Sequence, residues 1–130
     1  MKEKPTLLSA LKSECVAINM YTELMNKGGI DIREKLRYRE ILGDEENHKR
    51  KLERYVSAPR AWRQNYSISL SGAIQSEKDA ISMYSALLSG EGEEKLTAGE
   101  EKDVREILTD EVQHLNELEA LKEKAKKRKR

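Results

Sequence analysis

The chain has 130 residues, of which 38% are charged and 37% hydrophobic, with five Tyr, one Trp, no Phe, two Pro and seven Gly. At ~100–200 residues per domain this excludes large multi-domain machinery, and few helix breakers beside many Glu, Lys, Leu and Ala favour helix. The formal net charge of +1 is uneven: Lys122–Arg130 carries seven basic residues and one acid, a net of +6, which leaves Met1–Leu121 at −5.

The opening Met-Lys-Glu-Lys-Pro is followed by Leu7, Leu8, Ser9, Ala10, Leu11 and Lys12, an apolar run too short for a signal-peptide core. Nowhere does the chain reach the ~20 apolar residues of a membrane span, so a cytoplasmic location without membrane contact is expected. A first helix begins near Thr6, carries Leu7, Leu11, Ile18 and Met25, and stops before Gly28-Gly29, where a left-handed cap is easy. Cys15, the single cysteine, excludes an internal disulfide and any multi-cysteine metal site and reads as a small core residue.

A second helix starts at Asp31, with Glu34 completing a D-x-x-E capping pattern, and runs through Leu36, Ile41, Leu42, Leu52 and Tyr55 to about Ser57. The link from Ala58 to Tyr66 contains Pro59 and Trp62; the tryptophan is expected to cover one end of the bundle. The third helix spans roughly Ser67 to Ser89 and ends at Gly90. The fourth starts near Thr97, with Glu100 three residues on, and continues through Val104, Ile107, Leu108, Leu115 and Leu118 before fraying into the basic tail. The tail reads as a solvated terminus; electrostatic contact with nucleic acid is the alternative.

The chain repeats itself. Leu7–Met25 aligns with Leu70–Leu88 at an offset of 63 with nine identities in nineteen positions, among them Glu14/Glu77, Met20/Met83 and Tyr21/Tyr84. Ile41–Leu52 aligns with Ile107–Leu118 at an offset of 66, sharing Asp44/Asp110, Glu45/Glu111 and His48/His114. The expected fold is therefore all-α: a four-helix bundle over residues 1–121 made of two repeated helical hairpins, about 6–57 and 67–121, with the tail at 122–130. If the hairpins are related by a twofold across the bundle, the link must run its length. Nine or ten extended residues reach about 30–35 Å, and a helix of ~20 residues measures about 30 Å. Such a crossover is just long enough; a domain-swapped homodimer is the other arrangement.

Repeated identity falls on groups that are costly inside a bundle. Spacing of three sets Glu45 with His48, and Glu111 with His114, on one helical face each. With Glu14 and Glu77 from the other two helices, six ligands would meet at one level in the arrangement that binds two iron or manganese ions. Four carboxylates and two neutral imidazoles balance two divalent cations, which removes the penalty for burying those acids.

This set resembles the ferritin-like family, and within it the rubrerythrins and bacterioferritins, across all four helices. The resemblance implies metal ligands Glu14, Glu45, His48, Glu77, Glu111 and His114, with Glu45 and Glu111 bridging. It implies that Asp44 orients His114 and Asp110 orients His48 through the imidazole nitrogen that does not bind metal. Tyr21 and Tyr84, seven residues after Glu14 and Glu77, are similar to the family's tyrosines that hydrogen-bond ligand carboxylates. Met20 and Met83 read as core filler.

Two features depart from rubrerythrins. Ile74 stands where they usually carry an extra glutamate, and the four cysteines of a rubredoxin domain are missing. The six-ligand set is more similar to bacterioferritin or to a minimal ferritin-like oxidase, and cage storage is not expected of a chain without a fifth helix. The function implied is that of a non-haem di-iron, or di-manganese, protein of oxidoreductase type that oxidises Fe(II) or reduces peroxide or oxygen. The alternatives are iron sequestration or sensing without turnover, and a helical bundle acting on nucleic acid through its tail. A homodimer is expected, with oxygen or hydrogen peroxide as oxidant.

Overall fold

The computed structural model describes residues 4–128; Met1–Glu3 and the tail residues Lys129 and Arg130 lie outside the described residues. Four helices are present: α1 Leu7–Met25, α2 Ile32–Leu52, α3 Leu70–Leu88 and α4 Ala98–Arg128. They pack as an all-helical bundle, with no strand among the described residues.

Each start has a local cause. Thr6 and Ser9 exchange side-chain bonds with each other's backbone N–H in a capping box at the head of α1. Asp31 accepts from the Arg33 N–H at 2.6 Å, and Glu34 adds negative charge to the first turn of α2. Thr97 and Glu100 close a reciprocal pair before α4, at 2.9 and 3.2 Å. α3 starts at Leu70 rather than near Ser67: Ser69 caps it by accepting from the Gly72 N–H at 3.0 Å, and the chain folds back there so tightly that a Cβ on Gly72 would lie 1.9 Å from the Ser67 carbonyl oxygen. The turns after α1 and α3 pass through Gly29 and Gly90 at φ 81° and 84°, a left-handed backbone that glycine adopts without strain.

Two ends differ from the sequence expectation. α2 stops at Leu52 rather than Ser57: the next N–H groups, of Arg54 and Tyr55, bond back three residues to Lys51 and Leu52, which tightens the last turn. The Tyr55 hydroxyl is then drawn to Asp103 of α4 at 2.6 Å. α4 does not fray at the basic tail but remains helical through Arg128. The stretch contains only good helix formers, and cations in a final turn complement the helix dipole.

Bonds between helices set their directions. From α1 to α3 they join Ser9 with Met83, Glu14 with Tyr84 and Tyr21 with Glu77. From α2 to α4 they join Arg37 with Glu117, His48 with Asp110 and Lys51 with Glu106, and just past the end of α2 Tyr55 with Asp103. From Glu14–Tyr84 to Tyr21–Glu77, and from Arg37–Glu117 to Lys51–Glu106, numbers rise on one helix as they fall on the other, so both pairs are antiparallel. The segment 53–69 lies along the flank of the bundle: the Gln64 amide donates to the Val16 carbonyl of α1 and the Tyr66 hydroxyl to Asp79 of α3. Trp62 belongs to that flank. It lines a groove of about 540 Å³ with Lys12, Ser13 and Val16 of α1 and Met83 of α3, so it does not cover an end of the bundle.

The interior has three layers. One apolar cluster contains Met20, Tyr21, Leu24, Tyr38, Ile41 and Leu118; a second contains Leu11, Leu52, Tyr84, Leu87, Val104 and Ile107. Between them lies a layer of buried acids and imidazoles. At ~1.5–3 kcal/mol for each large apolar side chain buried, the two clusters are what hold that polar layer closed. Cys15 is buried as expected, whereas Leu36 is 49% exposed. Among the described residues no helix is long and apolar enough to cross a membrane.

Candidate metal centre

The six residues singled out by the repeat meet in the middle layer. Glu14 comes from α1, Glu45 and His48 from α2, Glu77 from α3, and Glu111 and His114 from α4, all at most 2% exposed. They form two overlapping groups, Glu14, Glu45, His48 and Glu111 in one and Glu45, Glu77, Glu111 and His114 in the other, with ligand atoms within 4.8 Å of one another in each. Glu45 and Glu111 belong to both.

The distances are regular. His48 Nδ1 lies 3.2 Å from Glu45 Oε1, 3.3 Å from Glu111 Oε1 and 3.5 Å from Glu14 Oε1. His114 Nδ1 lies 3.4 Å from Glu111 Oε1 and 3.5 Å from both Glu45 Oε1 and Glu77 Oε1. The imidazoles stack with centroids 6.1 Å apart. Most of these gaps exceed the usual N–H···O range of ~2.7–3.2 Å. They suit neighbouring ligands that each stand about 2.0–2.2 Å from a shared cation.

Hydrogen bonding leaves one face of every group open. Glu14 Oε1, Glu45 Oε1, His48 Nδ1, Glu77 Oε2, Glu111 Oε1 and His114 Nδ1 are buried without a hydrogen-bond partner among the described residues. Each such orphan costs ~1–3 kcal/mol, more for a charged group, so six facing one another are stable only with something between them. The opposite face of the outer four groups is occupied. Asp110 Oδ2 meets His48 Nε2 and Asp44 Oδ2 meets His114 Nε2, both at 2.8 Å, the two pairings expected of these aspartates. An ionised carboxylate only accepts, so each Nε2 carries the proton and the Nδ1 lone pair points inward.

The tyrosines act across the bundle. Tyr21 donates to Glu77 Oε1 at 2.8 Å and Tyr84 to Glu14 Oε2 at 2.5 Å, each binding the glutamate of the other hairpin and leaving its second oxygen free. Burial, and then the charge of the bound glutamate, raises both phenols well above their ordinary range, so they stay protonated donors.

Without a cation the layer holds protons instead. Burial raises Glu45, and the facing Glu111, Glu14 and Glu77 carboxylates raise it further; burial and then Glu77 and Glu14 do the same to Glu111. For the histidines burial works downward, but contact with carboxylates outweighs it. Glu111, Glu14 and Glu45 push His48 far up, and Glu77 with Glu45 brings His114 up to about 9. The donor set of four carboxylates and two imidazoles, each with an inward orphan, could hold a metal ion.

One buried group near the site was missed by sequence reasoning. Tyr38 is fully buried, its ring centroid 6.0 Å from that of Tyr21. Its place seven residues before Glu45 put it on the ligand face, but no repeat partner marked it. Comparison with protein-family models, with curated proteins and with solved structures finds no match to this chain.

Proposed function

We propose that the chain is a ferritin-like dinuclear metal protein of oxidoreductase type, holding two iron ions, or manganese in their place, at Glu14, Glu45, His48, Glu77, Glu111 and His114. The observation that carries this reading is the set of six buried, inward-facing orphan atoms, one from each residue. Glu45 and Glu111, common to both groups, would bridge. If α1 and α2 form an antiparallel hairpin, α1 being antiparallel to α3 as well, then α2 and α3 would run parallel and the flank segment 53–69 would serve as the long crossover of such a bundle.

Bound there, the metals would supply one-electron steps for Fe(II) oxidation or for reduction of peroxide or oxygen. The chain's own residues supply the rest. Asp44 and Asp110 fix the imidazoles in the ligating tautomer, and Tyr21 and Tyr84 hold the outer glutamates by one oxygen. The two apolar clusters keep bulk water from the layer. A homodimer in the cytoplasm is the expected setting.

The test is stopped-flow mixing of the Fe(II)-loaded protein with oxygen or hydrogen peroxide, and then repeated additions of Fe(II). Rapid ferric absorption that recurs on each addition is expected, and the faster oxidant identifies the reaction. A single slow oxidation that never recurs would instead favour sequestration or sensing.

A further inference from the structure

The repeat supplies an internal control on the flank that segment 53–69 crosses. Ser9, Lys12, Ser13 and Val16 lie on one face of α1, and their counterparts at the offset of 63 are Gly72, Gln75, Ser76 and Asp79 of α3. Over α3 the flank is closed: the Ser67 carbonyl sits against Gly72, the Tyr66 hydroxyl donates to Asp79, and Gly72 and Ser76 are buried. Over α1 it stays open. There Trp62, 39% exposed, and Arg63 line a groove of about 540 Å³ together with Ser9, Lys12 and Ser13. That volume lies within the ~300–1,000 Å³ of small-molecule sites.

The groove differs in charge from the body that carries it. Met1–Leu121 has a net charge of −5, yet residues 54–66 include Arg54, Arg60 and Arg63 and no acid, and Lys12 stands where α3 has the neutral Gln75. Neither Lys12 nor Arg63 has an ion-pair partner among the described residues. The acid in the lining, Asp79, has both oxygens engaged, Oδ1 by the Gln75 amide at 2.9 Å and Oδ2 by the Tyr66 hydroxyl. Two unpaired cations therefore share the groove with the chain's single indole, and the Asn65 amide and the Ser13 hydroxyl belong to the same lining.

We propose that this groove binds a nucleotide, its planar base stacked on the Trp62 indole and its phosphate paired with Lys12 and Arg63. An indole offers a stacking face to any base. The Arg fork matches phosphate oxygens, Lys adds a point charge, and the amide and hydroxyl serve the edge of a ring or a sugar. An inorganic anion alone would leave the indole unused, and an uncharged aromatic would leave both cations unused; a base that carries a phosphate engages all three. The same chemistry is offered by a free mononucleotide and by one position of a single strand. The inference is independent of the metal centre, since none of the six converging glutamates and histidines lines the groove.

Trp62 is the single tryptophan, so the emission of the full chain reports on this groove. The chain is titrated with each of the common ribonucleoside monophosphates, with adenosine, with inorganic phosphate and with a single-stranded oligoadenylate, followed by tryptophan emission and by calorimetry. At least one nucleotide is expected to change the emission saturably, and adenosine and phosphate should each bind at least about tenfold more weakly. Lys12→Gln, which copies the residue at the equivalent place in α3, and Arg63→Gln should each weaken the nucleotide about tenfold and leave the melting temperature unchanged, since neither residue forms an ion pair. Tighter binding of the oligoadenylate, weakened in the same variants, identifies a strand as the source; equal or weaker binding identifies the free nucleotide. No saturable binding of any nucleotide or of the strand, undiminished affinity in either variant, or adenosine or phosphate bound as tightly as the nucleotide would overturn the proposal.

Discussion

The α1–α2 hairpin and the α3–α4 hairpin carry the same glutamates, Glu-x-x-His pairs, aspartates and tyrosines, yet they differ in what lies behind them. Tyr38 stands opposite Val104, Ser9 opposite Gly72, and α4 runs 31 residues against 21 for α2. The groups that form the middle layer, and those bonded to them, are kept in both halves. Where the halves differ at these positions, local packing differs: Tyr38 and Val104 are both fully buried, in different apolar clusters. Duplication here tracks chemistry, and divergence tracks position.

The widest break in that comparison comes from separating the shared ligands from the private ones. Glu111→Ala should abolish tight binding of both metals, since Glu111 belongs to both groups, whereas Glu77→Ala should remove one ion and leave the Glu14–His48 position able to bind. Metal analysis after gel filtration reads the difference. Full dinuclear loading of Glu77→Ala would break the assignment.

A step smaller, Asp44→Asn and Asp110→Asn should each weaken one metal position about 10–100-fold. Asp44→Asn acts through His114 and Asp110→Asn through His48. Both aspartate side chains are at the rim, 53% and 37% exposed, so neither change disturbs the core. Calorimetric titration with Mn(II) should show one weakened phase in each variant; two unchanged phases would mean that these contacts are incidental.

The protons held in the metal-free layer give a dependence on pH with a definite sign. His114 is raised from 6.5 to about 9, so its contribution to stability is complete below 6.5 and is lost as pH climbs through about 9. Glu45 and Glu111 are also raised, and act in the same direction above the ordinary carboxylate range. The metal-free protein should therefore melt at lower temperature at pH 9 than at pH 6.5, and the rise on adding Mn(II) should be larger at pH 9. Scanning calorimetry at both values decides; a metal-induced rise that shrinks with pH would contradict the protonated layer.

The smallest expected effects contrast two equivalent positions. Gly72→Ala must displace the Ser67 carbonyl and should cost about 1–3 kcal/mol. Ser9→Ala loses half of a capping box and should cost about 1 kcal/mol. Denaturant melts of the metal-free chains compare them, and equal costs would deny the tight fold-back at the head of α3.

Four helices and the six converging side chains were legible in the sequence because each signal was local or doubled. Caps mark helix starts, and the repeat separated Glu14, Glu45, Glu77 and Glu111 from the many other acids. What stayed hidden depends on contacts between distant segments. The end of α2 at Leu52 depends on a turn secured by the bond from Tyr55 to Asp103, and Trp62 lies where Gln64 and Tyr66 anchor its segment. Tyr38 had neither a cap nor a duplicate to reveal it, and its burial beside the ring of Tyr21 is a contact between distant segments.

That the six orphan atoms face two metal ions is tested most directly by anomalous diffraction at the iron edge, from crystals grown anaerobically with Fe(II). Two peaks are expected in the middle layer, one beside His48 and Glu14 and one beside His114 and Glu77, both within bonding distance of Glu45 and Glu111. Ordered crystals with no anomalous peak among these six residues would contradict the dinuclear centre.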